Sequence, residues 1–203
     1  MKINTNTEEI ILEAARTVFM QKGFAATRMC DIAYTANINP AMLHYYFRKK
    51  EKLFSVIFEQ ESLKFHSDML AILHADMPFG EKIRLMIKRE IEKIAAAPYL
   101  PMFILSEIQS NPESADKYLG ISKRYQELFK TFCSLVESAQ QSGQIRAVCP
   151  RQLFLSIQGL TLFPFLAKPM IKTALDVDDN NFLEIMRERV DHVCELILGP
   201  LQF

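Results

Sequence analysis

Apolar residues recur at intervals of three and four along almost the whole chain, and no Asn-Gly or Asp-Gly hairpin pair interrupts them. The pattern predicts an all-α protein of about nine helices. Thr5 can cap the first helix together with Glu8 in a T-x-x-E box; Ile10, Ile11, Ala14, Ala15, Val18 and Phe19 then lead to a stop at Gly23. Two short segments over 28–35 and 40–47 come next, followed by a long helix over 50–75. Pro78-Phe79-Gly80 breaks it, and Ile83, Ile87, Ile91 and Ile94 mark the inner stripe of its successor. Pro98 and Pro101 start another helix, which Asn111-Pro112 ends.

Beyond that point the clearest stripe is Ile121, Tyr125, Leu128, Phe129, Phe132, Leu135, Val136 and Ala139, stopping at Gly143, so one face of this helix is buried. Residues 153–166, LFLSIQGLTLFPFL, are apolar nearly all round, which suits a helix covered on more than one side, with Pro164 kinking or ending it. The last helix carries two stripes: Leu183, Met186, Val190, Val193 and Ile197, and beside them Phe182, Ile185 and Leu196. Such a helix is either sunk in its own core or packs one stripe on the body and the other on a partner.

Of the 203 residues 49% are hydrophobic, enough to fill a sizeable core. The 24 basic and 24 acidic residues cancel, so net charge says nothing about nucleic acid. Their distribution does. Between Lys22 and Lys52 the basic Lys22, Arg28, Arg48, Lys49, Lys50 and Lys52 face only Asp31 and Glu51, an excess suited to a phosphate-facing patch or to a solvated turn.

Cys30, Cys133, Cys149 and Cys194 form no C-x-x-C pair and have no histidine at ligand spacing, and His66, His74 and His192 are no better placed; reduced thiols and no metal are expected. G-x-S-x-G, H-E-x-x-H, P-loop and Glu-x-x-His patterns are missing, so neither an enzyme nor a cofactor is expected. The start MKINTNTEEI lacks the layout of a signal peptide, and no apolar stretch approaches the roughly 20 residues that span a bilayer. A cytoplasmic protein without a membrane partner is the expectation.

The most informative stretch is residues 27–53, TRMCDIAYTANINPAMLHYYFRKKEKL. Two short helices joined by Ala36-Asn37-Ile38-Asn39 make a helix-turn-helix, in which the first crosses the DNA backbone and the second enters the major groove. Thr27 can cap the first; Asn39 followed by Pro40 offers the second an N-cap and a proline where no amide hydrogen is required. Asn37 stands where the turn needs a left-handed residue. Leu43 and Phe47, four apart, point inward together, which leaves Ala41, Met42, His44 and Tyr45 nearer the exposed side.

This stretch resembles the DNA-binding domain of the TetR family of one-component regulators. The family pattern appears as Phe19 to Gly23-Phe24, Thr27, Asp31-Ile32-Ala33, Ala36-Asn37-Ile38-Asn39, Leu43-His44-Tyr45-Tyr46-Phe47, Lys50-Glu51 and Leu53, over roughly residues 8–55. The family usually has glycine at Asn37, tyrosine at His44, and a small hydroxyl residue or glycine near Ala41 and Met42.

The resemblance implies a helix-turn-helix domain over 1–50 and a helical effector-binding and dimerisation domain over 51–203. Thr27, Arg28 and Lys50 would then meet phosphates, with Asn39, Pro40, Ala41, Met42, His44 and Tyr45 facing the groove. His44 either reads bases or packs beneath its helix, and Tyr45 offers a phosphate a hydroxyl. Large apolar residues of the central helices, Met86, Met102, Phe103, Phe129, Phe132 and Phe163, with Tyr125 and Gln158 as polar handles, either line an effector pocket or simply fill the core.

By the same resemblance the last two helices pair with those of a second subunit, through Leu153, Ile157, Thr161, Phe182, Met186, Val190, Val193 and Ile197. The function implied is a homodimeric repressor, released from a pseudo-palindromic operator by a small hydrophobic or amphipathic effector. The other reading is a helical protein-interaction module without specific DNA binding.

Overall fold

The structure is a computed structural model that describes residues 5–98, 101–102, 105 and 121–201, and within these it is all-α. The helices are α1 (Thr5–Ala26), α2 (Met29–Thr35), α3 (Pro40–Tyr46), α4 (Lys50–His74), α5 (Phe79–Ala96), α6 (Ile121–Gln141), α7 (Pro150–Leu166), α8 (Lys168–Leu175) and α9 (Asp179–Leu198), closed by a 3₁₀ turn, Gly199–Leu201. The Thr5 side chain, Phe103 and most of the helix expected after Pro98 lie outside the described residues. No single described helix is long and apolar enough to cross a membrane. Contacts divide the chain into two compact units that part within α4, after Lys64.

The first unit is built around an aromatic knot. Phe19 and Phe24 stack at 5.8 Å, and Phe54 of α4 meets both edge-on, at 5.1 and 5.0 Å. Ile11, Ala15, Ile32, Leu43 and Leu53 close round it with almost no exposed surface. The regular course of α1 stops at Gly23, as its sequence predicts, because Gly23 has φ 74 and ψ 168. That region belongs essentially to glycine; a Cβ there would touch nothing, so the obstacle to any other residue is the backbone itself.

In the second unit, α5, α6, α7 and α9 share one core centred on Ile83, Ile87, Phe132, Val136, Phe154, Ile157, Phe182 and Val193. The stripe of α5 faces inward as its periodicity predicts, as does that of α6 from Leu128 to Ala139, whereas Tyr125 is nearly half exposed. Gly143, at φ 70, ends α6: its N–H and that of Gln144 return to the carbonyls of Gln140 and Ala139. The Lys82 ammonium closes the end of α4 by donating to the Leu73 carbonyl at 2.9 Å.

Pro164 neither ends α7 nor leaves its main chain unpaired. Proline has no N–H, so the carbonyl four residues earlier, Leu160, loses its helical donor. Arg189 of α9 replaces it, its Nε donating to the Leu160 oxygen at 2.8 Å. A buried carbonyl left unpaired costs roughly 1–3 kcal/mol, which sets the scale of this contact. Partial burial lowers the Arg189 pKa, but a guanidinium remains charged. The chain turns only at Ala167, where α8 departs at 77°. The sequence reading had no separate helix there.

The residues expected at the dimer interface require correction. Leu153, Ile157, Thr161, Phe182, Met186, Val193 and Ile197 are all buried within the protomer, Phe182 and Val193 completely, and Val190 is half-buried against the same core. They pack α7 and α9 into their own subunit and, Val190 apart, leave almost no surface for a partner. The exposed apolar positions of these helices are instead Leu155 (62%) and Phe163 (55%) on α7 and Leu196 (49%) on α9. Phe163, expected at the pocket, is thus among the exposed residues of α7.

Candidate functional site

Each end of the two short helices has a local cause. Asn39 is extended, its Oδ1 accepts the Ala41 N–H at 2.8 Å, and Pro40 occupies the first helical position, as the sequence predicts. Asn37 has φ 52 in the turn, and the N–H groups of Asn37 and Ile38 return to the carbonyls of Tyr34 and Ala33. This is a Schellman closure with asparagine in the left-handed place.

Thr27 is not the N-cap of α2. Arg28 takes that position, extended, and its own N–H donates to the Asp31 carboxylate at 3.1 Å. Asp31 also meets Lys22 Nζ at 3.0 Å; Lys22 first, and then the Arg28 N–H, hold its carboxyl below the usual range. Thr27 itself is 2% exposed and turns its hydroxyl back to the Gly23 carbonyl at 2.6 Å. Its hydroxyl is committed to the main chain of α1.

Lys50 is turned inward as well. Its ammonium donates to the carbonyls of Phe24 (2.7 Å), Thr27 (3.0 Å) and Ala25 (3.4 Å), and lies 4.4 Å from the centre of the Phe24 ring. Three hydrogens meet three acceptors at and just beyond the end of α1. Lys50 is a clamp between α4 and the end of α1, its ammonium turned to main-chain acceptors rather than outward. Lys50→Met should lower stability by about 2 kcal/mol. Urea unfolding measures this; unchanged stability with a flatter salt dependence of DNA binding would restore the phosphate role.

What remains outside is a coherent surface. Leu43 and Phe47 are buried, whereas Arg28, Asn39, Pro40, Ala41, Met42, His44 and Tyr45 are all exposed. His44 thus lies on the outer side of α3 rather than beneath it. Tyr45 stands edge-on to Tyr46 at 5.5 Å with its ring free on the other side. Apart from His44, the side chains at the start of this face are apolar, or, in Asn39, have their oxygen committed to the cap. Met42 and Ala41 can meet thymine methyls.

A profile of bacterial regulatory proteins of the tetR family matches residues 11–57, the helix-turn-helix just described. Residues 11–57 are a TetR-family DNA-binding domain. The chain is 26% identical over 174 residues to the HTH-type transcriptional repressor NicS of Pseudomonas putida, a match covering 85% of this chain and 82% of NicS. It is 31% identical over 100 residues to the HTH-type transcriptional regulator YhgD of Bacillus subtilis, covering 42% of this chain and 52% of that protein. Its fold matches AibR, solved in complex with isovaleryl coenzyme A and operator DNA, with a TM-score of 0.69 at 18% identity, over 96% of this chain and 99% of that one.

The expected effector residues are only partly brought together in the regulator's second unit. Met86 and Phe132 belong to the core, Met102 is more than half exposed, and Phe129 is half-buried, edge-on to Phe154 at 5.2 Å. The two polar handles do meet: the Tyr125 hydroxyl donates to Gln158 Oε1 at 2.9 Å. Gln158 Nε2 in turn donates to Glu90 Oε2 at 3.2 Å. Glu90 escaped the sequence reading, although it falls on the α5 stripe of Ile83, Met86, Ile87 and Ile91, seven residues after Ile83, and is buried with them. Burial pushes its carboxyl up to about 7, against the opposing pull of hydrogen bonding from Thr161 and Gln158.

A separate groove of about 600 Å³ lies between α6 and the start of α7, lined by Phe129, Lys130, Cys133, Ser134, Glu137, Cys149, Pro150 and Arg151. Of the expected pocket residues only Phe129 reaches it. All four cysteines are free thiols.

Proposed function

We propose that this regulator acts in the cytoplasm as a homodimeric repressor rather than an enzyme, with residues 1–50 binding DNA and 51–203 binding effector and partner. The observation that carries this reading is the exposed face of α3, projecting Pro40, Ala41, Met42, His44 and Tyr45 beyond a buried Leu43 and Phe47. Arg28, at the N-terminus of α2, supplies a cation for the neighbouring phosphate, as do the exposed Arg48 and Lys49 after α3. Dimerisation through the outer faces of α7 and α9, at Leu155, Phe163 and Leu196, makes the preferred operator pseudo-palindromic, with half-sites about one helical turn apart.

The effector is a small hydrophobic or amphipathic molecule held in the second unit, and its binding shifts the dimer away from operator spacing. The complex of AibR with both isovaleryl coenzyme A and operator DNA supports this division of labour. Electrophoretic shift of fragments bearing the regulator's own promoter tests it. Specific retardation that weakens steeply between about 50 and 200 mM salt is expected. No specific shift at low salt, across promoter fragments, would favour a protein-interaction module.

A further inference from the structure

Glu90 occupies a place in α5 where periodicity calls for an apolar residue, and it is 9% exposed. Among the described residues no cation is paired with it. From α7 it is faced by Gln158 and Thr161, both uncharged, and from α6 by Tyr125. The Tyr125 phenol is itself pushed up to about 12, by burial and then by Glu90, and stays neutral.

The hydrogens of this cluster are largely spent within it. Tyr125 gives its own to Gln158 Oε1, Gln158 gives one to Glu90, and the single hydrogen of Thr161 is shared between Glu90 and the Ile157 carbonyl, the latter at 2.9 Å. Apart from the second amide hydrogen of Gln158, what is left open once Glu90 ionises is acceptors: the remaining lone pairs of the Glu90 carboxylate and of the Tyr125 oxygen. Beside them stands an aromatic wall. Tyr125, Phe129 and Phe132 all meet Phe154 edge-on, at 5.7, 5.2 and 5.4 Å, and Tyr125 keeps nearly half of its surface exposed. An acceptor-rich, uncompensated carboxyl next to aromatic rings is complementary to one kind of head group, a hydrogen-donating cation.

We propose that Glu90, Gln158 and Tyr125 form the head-group subsite of the effector site, and that the effector class is an alkylammonium: an amine on a hydrophobic body that lies along Phe129 and Phe154. This rests on the effector-binding reading given above. Such a ligand binds the ionised carboxylate, so its binding expels the Glu90 proton. Affinity rises about tenfold per pH unit below about 7 and levels off above it, because the amine stays charged throughout while Glu90 does not.

The test is calorimetric titration of n-octylamine, 1-octanol and octanoate into the full-length protein and its Glu90→Gln variant between pH 5.5 and 8, in buffers of different ionisation enthalpy. Octylamine is expected to bind the wild type about fivefold more tightly at pH 7 than at pH 6, with proton release, and Glu90→Gln to weaken it at least about tenfold and abolish the pH dependence. Circular dichroism verifies that the variant is folded. Equal binding of octylamine by the variant, or preference for octanol or octanoate, would overturn the head-group assignment while leaving an effector site in place. Failure of all three probes to bind would overturn both.

Discussion

Phe163→Asp is expected to yield a folded monomer whose operator affinity is at least about a hundredfold below that of the wild type, because the second half-site is then no longer tethered to the first. Phe163 and Leu155, eight residues apart, lie on one outward side of α7 and remain more than half exposed. An aspartate there replaces no contact within the protomer. It does place a charge where a symmetric partner would bury it, at a cost of several kcal/mol on each side. Val193→Asp is the informative contrast: Val193 has no exposed surface and sits among Ile83, Phe182 and Ile197, so the same charge there should unfold the second unit. Sedimentation velocity and circular dichroism on the two variants separate the cases. A Phe163→Asp protein that still sediments as a dimer would remove this face from the interface.

The second large effect is on stability, and it depends on pH. The Glu90 carboxyl titrates near 4.5 when unfolded and near 7 when folded, so the folded protein holds this proton more tightly. A folded value above the unfolded one means that the contribution is fully present below about pH 4.5 and declines as pH rises to about 7, beyond which the whole penalty of a buried carboxylate is in place. The interval corresponds to about 3 kcal/mol. Glu90→Gln keeps the shape and the acceptor for Gln158 but cannot ionise. The variant should therefore match the wild type at pH 5 and exceed it by about 2–3 kcal/mol at pH 8, or roughly 5–10 °C in Tm for a chain of this size. Equal stability at both pH values would show that the carboxyl is not desolvated.

Local chemistry was the legible part of this molecule. Asn39-Pro40, Asn37, Gly23 and Gly143 announce their backbone geometry because each acts on main-chain groups within a few residues. The stripes of α5 and α6 are equally plain, since a single apolar face has only one place to go. The last helix was not, for the opposite reason: periodicity gives two stripes without saying which meets the core, and Phe182 of one is buried with Met186 and Val193 of the other while Leu196 lies outward.

Long-range partners were beyond reach. Lys50 looked like a phosphate anchor because its acceptors, the carbonyls of Phe24, Ala25 and Thr27, lie more than twenty residues earlier in the chain. Thr27 missed its place as a cap by one residue, a slip that spacing alone cannot detect. Glu90 was visible by position yet silent by type, since a charge on an apolar stripe acquires meaning only when Gln158 and Tyr125 arrive from two other helices.

The bond from Arg189 to Leu160 makes two distant positions a single energetic unit. Its acceptor exists only because Pro164 lacks a hydrogen, so a guanidinium on α9 completes the main chain of α7. The side chain at residue 160 is indifferent to the bond, but the identity of residue 164 is not. With an amide restored at 164, the helix would reclaim its own carbonyl and the half-buried Arg189 would lose its partner. Proline in one helix and arginine in the other are thus a matched pair, each a defect without its counterpart, and together they rivet the two helices that bear the outward apolar face.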